Sequence, residues 1–297
     1  MSSPRPLVGV ALQPDDVFFE HNGALLEEHA ELFEVTPETL WDSRCEPTSG
    51  HERLLRFCKR RAIPVVGHGV LFSIAATGSP KRRDAWLRAL QRDAAAFDFV
   101  WLSEHLGFAD AAGQHTAWPL PLPMTEEAVA TTAQALQQLR TACASAVFEA
   151  VLFENNADLF CLGEPLEQAK LYSRVCDAAD AHMLLDLHNA YAFCRNTGLE
   201  LERFLEHLPW SRVREIHLSG GSDSDPEFLP SRRSMRLDSH DGAVPEAVWH
   251  ALALALPRAS NLRAVVCEWF PEAMDAAAGQ QFAADFARAH GMVASAF

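Results

Sequence analysis

Histidine, aspartate and glutamate recur along this chain at the ends of short apolar runs. The residues at these ends are Glu34, His68, His105, Glu154, Asp186, His217 and Glu268. Imidazole and carboxylate groups without a thiolate suit iron, zinc or manganese. Carboxylates gathered in one buried place repel each other and are costly to desolvate unless cations neutralise them. The pattern therefore predicts a metal centre.

The loop after the seventh run adds Asp238 and His240 to these candidates. The candidates outnumber the ligands that one ion takes, so we expect two or three ions that share bridging carboxylates. The ligand types alone leave redox iron and hydrolytic zinc both open.

Eight apolar runs of strand length position these residues. The predicted strands are 7–12, 32–36, 64–70, 97–105, 147–155, 182–189, 213–219 and 264–270. Helical patterns alternate with them at 22–31, 49–61, 79–96, 125–144, 164–181, 200–208, 245–256 and 272–290. Strands that alternate with helices pair in parallel, and eight such units match an α/β (β/α)8 TIM barrel. Active sites of such barrels lie at the C-terminal ends of the strands, where the candidate ligands fall. An open doubly wound sheet is the alternative fold.

Side chains two apart on a strand share a face, which predicts an apolar layer beneath the ligands. Leu32, Val66, Leu152, Leu184 and Val266 each precede a candidate ligand by two positions. In the seventh strand, Glu215 stands beneath His217 instead. In the fourth strand, Glu104 and His105 point to opposite faces, so the inward one is ambiguous.

Composition limits the class of protein. The hydrophobic content of 48% suffices for a large core, and no linker divides the chain, so we expect one domain over 1–297. The first six residues are too short and polar for a signal peptide. No apolar run reaches the roughly 18–20 residues that span a bilayer, so we expect no membrane partner. The net charge of −15 disfavours nucleic acid. The seven cysteines are scattered, which favours a reducing cytoplasm over a disulfide framework.

Taken together and in order, several motifs resemble the DUF692 group, the multinuclear non-heme iron-dependent oxidases. The motifs are Phe33-Glu34-Val35, His68-Gly69-Val70, Ser103-Glu104-His105-Leu106, Leu120-Pro121-Leu122-Pro123 with Thr125-Glu126-Glu127, Glu154-Asn155, Leu185-Asp186 with Asn189-Ala190-Tyr191, Glu215-Ile216-His217-Leu218, Asp238-Ser239-His240-Asp241 and Glu268-Trp269. They extend over most of the chain. Any one of them alone is unspecific.

The resemblance implies a barrel that holds two or three irons, mixed Fe(II) and Fe(III), with O2 as co-substrate. It implies His68, His105, Glu154, Asp186, His217 and Glu268 as core ligands, with Asn189, Asp238 and His240 near the third ion. Among these, His68, Glu154, Asp186 and His217 are predicted to act at the reacting centre. The implied reaction abstracts a hydrogen from a ribosomally made precursor peptide, often at a cysteine. A partner protein that recognises the peptide is also implied.

Three positions depart from the family pattern. Gly221 stands where the family usually has histidine, so a ligand to the third ion is missing, and Asp223 or Asp225 could replace it. Thr36 also stands where histidine is frequent, and His188 stands where asparagine is common.

Two other functions remain open. A zinc or manganese barrel enzyme, either a sugar isomerase or epimerase or a phosphoester hydrolase, uses similar ligand sets on this fold. A non-catalytic barrel that binds metal or a partner is the third hypothesis, and Gly221 is the feature that favours it.

Overall fold

A closed barrel of eight parallel strands forms the centre of the molecule, which a computed structural model describes for residues 5–78, 80–111 and 114–297. The barrel strands are β1 (Leu7–Leu12), β2 (Leu32–Val35), β3 (Val65–Gly69), β4 (Trp101–His105), β7 (Ala150–Glu154), β8 (His182–Asp186), β9 (Val213–Leu218) and β10 (Ala264–Cys267). They pair in this order, and β10 closes the barrel against β1. The predicted TIM barrel is confirmed.

Helices cover the outside of the barrel. They are α1 (Asp16–Glu28), α2 (Ser49–Arg61), α3 (Pro80–Phe97), α4 (Glu126–Ala142), α5 (Pro165–Ala179), α6 (Leu187–Thr197), α7 (Leu201–Leu205), α8 (Glu246–Ala255) and α9 (Ala276–Ala296). The predicted N-cap of α4 is confirmed, because the side chain of Thr125 accepts a hydrogen bond from the Ala128 amide. None of the helices in the described ranges is long and apolar enough to cross a membrane.

Several predicted boundaries were wrong. Helix α1 begins at Asp16 rather than at 22, since Asp15 caps it by accepting from the amides of Val17 and Phe18. The predicted strand 97–105 begins only at Trp101, because α3 continues to Phe97. The helix predicted at 272–290 corresponds to α9, which begins at Ala276 and ends at Ala296.

Two elements near the C-terminal ends of the strands were missed. Helix α6 follows β8 without a loop, and the Asp186 carboxylate caps it by accepting from the Asn189 amide at 2.6 Å. An antiparallel hairpin of β5 (Phe108–Ala111) and β6 (Gln114–Leu120) stands beside the end of β4. Both elements contribute residues to the rim of the barrel, where the candidate ligands lie.

The barrel interior contains the predicted apolar layer. It consists of Leu32, Val66, Leu152, Leu184 and Val266, together with Ala11, Trp101, Ala150 and Ala264. Glu215 also points inward, and its carboxylate accepts from the indole nitrogen of Trp101 at 2.7 Å. The layer closes the barrel beneath the candidate ligands, so they occupy the bottom of a one-sided opening.

All seven cysteines carry free thiols, and five of them are buried. Cys267 precedes Glu268 and packs in the apolar core outside the barrel, at 1% exposure. Burial raises the pKa of the Cys58, Cys143, Cys176 and Cys194 thiols to about 12. These side chains are therefore protonated core residues.

Candidate metal centre

The first ligand cluster joins β3, β4 and β7. The Glu154 carboxylate oxygen Oε2 lies 2.9 Å from His105 Nε2 and 3.4 Å from His68 Nε2. The two imidazole nitrogens are 3.2 Å apart. His105 is thus the inward residue of the fourth strand, while Glu104 points away and accepts from the Phe72 amide at 3.2 Å. Three ligand atoms at these separations fit around a single ion.

Hydrogen bonds orient both imidazoles of this cluster. His68 Nδ1 lies 2.8 Å from the Ser103 hydroxyl, and His105 Nδ1 lies 2.8 Å from the Asn156 side-chain oxygen. When a cation replaces the proton on Nε2, each ring keeps its proton on Nδ1 and presents the lone pair of Nε2 on the side of Glu154. Such partners of metal-binding histidines fix the ring orientation.

The second cluster forms around His217 at the end of β9. Its Nδ1 lies 3.0 Å from Glu268 Oε2 and 3.7 Å from Glu154 Oε1. Asp186 belongs to the same group, with ligand atoms within 4.8 Å of one another. Glu154 therefore offers one oxygen to each of the first two clusters, the arrangement of a bridging carboxylate.

The third cluster combines Asp186 and Glu268 with His240, again within 4.8 Å. His240 Nε2 lies 2.6 Å from Asp238 Oδ1. Asn189 stands beside this group and donates to the Asn155 carbonyl at 3.1 Å. The structure thus brings together all nine predicted site residues, although their metal roles stay predictions.

Two carboxylates expected as substitutes for a ligand at position 221 lie elsewhere. Asp223 pairs with Arg195 at 3.1 Å, and Asp225 accepts from the Glu227 amide. Neither contacts the third cluster in the described structure.

The space at Gly221 is filled by His188. A Cβ at Gly221 would lie 2.8 Å from His188 Cε1 and 2.3 Å from the Leu237 carbonyl oxygen. Arg236 Nε donates to His188 Nε2 at 3.1 Å, which places the imidazole proton on Nδ1, 3.7 Å from Asp238 Oδ1. His188 is therefore oriented toward Asp238 as a supporting group. Sequence reasoning missed Arg236, which lies in a polar segment with no distinguishing pattern.

Glu34 was noted as a strand end but left out of the predicted ligand set. Its Oε2 lies 3.0 Å from His217 Nε2, and both residues are fully buried. The carboxylate therefore accepts the Nε2 proton, and Nδ1 is left to face the second cluster.

Replacing Glu34 by alanine should lower metal affinity by about 10- to 100-fold, because His217 would lose the partner that sets its tautomer. Glu34→Gln should recover much of that loss, because the amide oxygen still accepts the proton. Anaerobic titration of the metal-free variants with ferrous ion measures both affinities. Equal losses in the two variants would contradict an orienting role.

Charge in the centre is unbalanced without a cation. Burial raises the pKa of Asp186 well above its ordinary value, and the Asp238 and Glu154 carboxylates raise it further. Burial would lower the pKa of His105, but the Glu154 carboxylate raises it to about 10. Burial also lowers the pKa of His240, but the Asp238 and Glu268 carboxylates together raise it to about 10. Protons on the imidazoles supply the positive charge that these carboxylates require, and metal ions can supply it instead.

Ligand atoms without hydrogen-bond partners give a direct test of whether a metal fits. Among the described side chains, Asp186 Oδ2 and Asn189 Oδ1 are buried and lack such a partner. At hydrogen-bond distance, the buried atoms Glu154 Oε2, His217 Nδ1, Asp238 Oδ1 and His240 Nε2 meet only other candidate ligands. Buried polar atoms are normally satisfied, because an unpaired one costs about 1–3 kcal/mol. These atoms come from different elements and converge on one place. The donor set fits two or three cations.

A cavity of about 820 Å³ opens above the clusters, and His105 and Asp238 are among its lining residues. Its other walls come from the β5–β6 hairpin and from the loops that follow β7, β9 and β10. The volume lies in the upper part of the range of about 300–1,000 Å³ for ligand cavities. A substrate in this cavity would lie directly against the candidate metal ligands.

Asp158 in this cavity gives a pH-dependent prediction. Burial raises its pKa to about 7, although Gln168 donates to the carboxylate at 2.8 Å. Because this value exceeds the unfolded one, the stabilising proton is present at about pH 4 and is lost as the pH rises through about 7. Asp158→Asn removes that titration and should gain about 2–4 kcal/mol over the parent protein between about pH 4 and 8.

Urea unfolding of both proteins across this pH range measures the difference. Asp177→Asn, at an exposed side chain on α5, is the matched control and should show little change with pH. A pH-independent difference between Asp158→Asn and the parent would contradict the assignment.

Fold and geometry define a TIM-barrel protein with a candidate metal centre at the C-terminal ends of its strands. Solved structures with this fold include the IOLI protein with a bound zinc atom, at TM-score 0.63 and 15% identity, covering 98% of this chain and 99% of that one. A xylose isomerase-like protein from Mycobacterium smegmatis in complex with magnesium has TM-score 0.60 and 14% identity, covering 100% and 99%. Endonuclease IV from Thermus thermophilus has TM-score 0.54 and 15% identity, covering 98% and 100%. At these identities the likeness concerns the fold alone.

Sequence comparison gives the family. The model of the RiPP precursor modification enzymes MbnB/TglH/ChrH matches residues 8–292, and the chain belongs to this family, which is metal-dependent. A UPF0276 protein of Anaeromyxobacter sp. is 30% identical over 213 residues, 71% of this chain and 69% of the relative. A UPF0276 protein of Rhizorhabdus wittichii is 27% identical over 294 residues, 96% of each chain. The expected resemblance to the DUF692 group is confirmed.

Proposed function

We propose that the protein is a multinuclear non-heme iron oxidase that uses O2 to modify a ribosomally synthesised precursor peptide, at a cysteine residue. The observation that carries the proposal is the chain of three adjacent ligand clusters that share Glu154, Asp186 and Glu268. Membership in a family of precursor-modifying enzymes supports the substrate class. A partner protein that delivers the peptide and a cytoplasmic site of action are parts of this proposal.

His68, His105 and Glu154 would hold one iron, and Glu154, Asp186, His217 and Glu268 a second. Asp186, Glu268, Asp238, His240 and Asn189 would hold a third. When bound, the irons would supply the electrons that reduce O2 and thereby allow hydrogen to be removed from the substrate.

The protein's own residues position the reactants. Ser103, Asn156 and Glu34 hold the imidazole rings, so that the ligand nitrogens face one another before any ion arrives. The apolar layer below excludes water from that side. The cavity above admits the peptide from the opposite side. Holding the substrate next to the metal centre lowers the entropy that must be lost to reach the transition state.

Metal analysis with Mössbauer and EPR spectra, on protein prepared without oxygen or added chelator, tests the proposal. We expect two or more irons per chain and a signal from a coupled ferrous–ferric pair. One zinc or manganese and no iron after ferrous reconstitution would overturn it in favour of a hydrolase or isomerase. Bound iron without O2 consumption toward any candidate peptide would favour a non-catalytic barrel.

A further inference from the structure

The two sides of the cavity differ in chemistry. One side, which we call the apolar wall, consists of Trp118, Leu120, Leu159 and Phe160. Trp118 is 61% exposed and Phe160 is 51% exposed. Exposed apolar side chains that lie together in one cavity, rather than singly on the surface, are typical of a binding site.

The other side, which we call the acidic wall, carries Asp241 and Glu272 next to Phe270. Asp241 is fixed in place, because it accepts hydrogen bonds from the hydroxyls of Ser222 and Ser239 at 2.7 and 2.8 Å. Phe270 packs against the candidate ligand His240 with the two rings tilted by 35° and their centroids 4.4 Å apart, so the acidic wall adjoins the candidate metal centre. None of the described residues that line the cavity is lysine or arginine.

The chemistry of the two walls argues against a sugar or a phosphoester as the ligand of the cavity. A sugar ring can stack on an aromatic side chain, but its hydroxyl groups need hydrogen bonds, and Leu120 and Leu159 offer none on this wall. A phosphate needs a cation or a row of amides, whereas the opposite wall is negative. An extended peptide carries side chains of different chemistry on its two sides and matches both walls.

We propose that the cavity binds the peptide segment around the reacting residue and selects an apolar side chain on one flank and lysine or arginine on the other. The apolar side chain lies against Trp118 and Phe160, and the cationic one lies near Asp241 and Glu272. This inference rests on the proposed function only in placing the reacting residue at the metal centre.

Calorimetric titration without O2 tests this selection on iron-loaded and on metal-free protein. The probes are the capped synthetic peptides Gly-Phe-Cys-Lys-Gly and Gly-Lys-Cys-Phe-Gly. Both orders are used because a peptide can cross the cavity in either direction. The tighter one is then compared with versions in which Phe becomes Ser or Lys becomes Glu. We expect each change to weaken binding by tenfold or more, with and without metal.

Variants of the two walls make the test specific. Glu272→Lys should abolish or reverse the preference for Lys over Glu, and Trp118→Ala should abolish the preference for Phe over Ser. The matched controls are Glu206→Lys, at an exposed glutamate that follows the last residue of α7, and Phe228→Ala, at an aromatic side chain that is 77% exposed. Neither residue lines the cavity. Both controls should keep the parent preferences.

Equal affinity for all peptides, or preferences unchanged by Glu272→Lys and Trp118→Ala, would overturn the inference. Binding of D-fructose in place of any peptide would overturn it as well. Failure of this inference can be distinguished from failure of the oxidase proposal. The oxidase proposal is tested by bound iron and O2 consumption, whereas the peptide titration involves no turnover and no oxygen. Peptide selection in a protein that consumes no O2 would support the cavity assignment and contradict the oxidase.

Discussion

Replacing Glu154 by alanine should abolish peptide oxidation and reduce bound iron to at most one ion per chain. One oxygen of this carboxylate lies 2.9 Å from His105 Nε2, and the other lies 3.7 Å from His217 Nδ1. Its removal leaves each of the first two clusters short of a ligand. The remaining carboxylates of the second cluster also lose the ion that holds them together.

Metal analysis and O2 consumption of the reconstituted variant measure both effects. Glu206→Gln is the matched control, because Glu206 is an exposed residue at the end of α7. Circular dichroism should show a folded barrel for both variants. A Glu154→Ala protein with full iron and full activity would show that the ligand assignment is wrong.

Replacing Gly221 by alanine should destabilise the protein by about 2–4 kcal/mol and lower the metal affinity of the third cluster. The added methyl group would lie 2.3 Å from the Leu237 carbonyl oxygen and 2.8 Å from the His188 ring. The backbone at Leu237 must move to admit it, and Asp238 follows directly in the chain. His188, which faces Asp238, must move too.

Urea unfolding and iron stoichiometry measure these losses. Gly23→Ala is the control, because a Cβ at that helical position meets nothing within 4 Å. Gly23→Ala should increase the free energy of unfolding by no more than about 1 kcal/mol, because alanine favours the helix over glycine. Adding His188→Ala to Gly221→Ala should restore only part of the stability, because the contact with the Leu237 carbonyl remains. Full recovery in the double variant would contradict a backbone cause.

The sequence sufficed to predict the barrel and the layer beneath the candidate ligands. Side chains two positions apart on a strand point to the same face. If a ligand points into the barrel, the apolar residue two positions before it must also point into the barrel. Val66 beneath His68 and Leu152 beneath Glu154 follow this rule. The same rule left Glu104 and His105 undecided, because adjacent residues compete for the inward face.

Other features depend on contacts between distant parts of the chain. Glu34 meets His217 across the barrel, and Arg236 reaches His188 from a loop, so no local spacing indicates either pair. The sequence does not predict helix α6, because the predicted strand 182–189 extends over the first three residues of the helix, where Leu187 continues the apolar run of β8. Asp186 at its N-cap was the available signal for the helix start, but it had been interpreted as a ligand alone.

The burial of the free thiols has a consequence for the stability of the protein toward oxidation. Oxidants attack the thiolate, and susceptibility rises with exposure. Cys267 neighbours Glu268 in the chain, yet its side chain lies in the apolar core outside the barrel, and burial raises its pKa well above the usual range. If the centre activates oxygen as proposed, the cysteine next to Glu268 is therefore kept apart from it in the core and protected from oxidation.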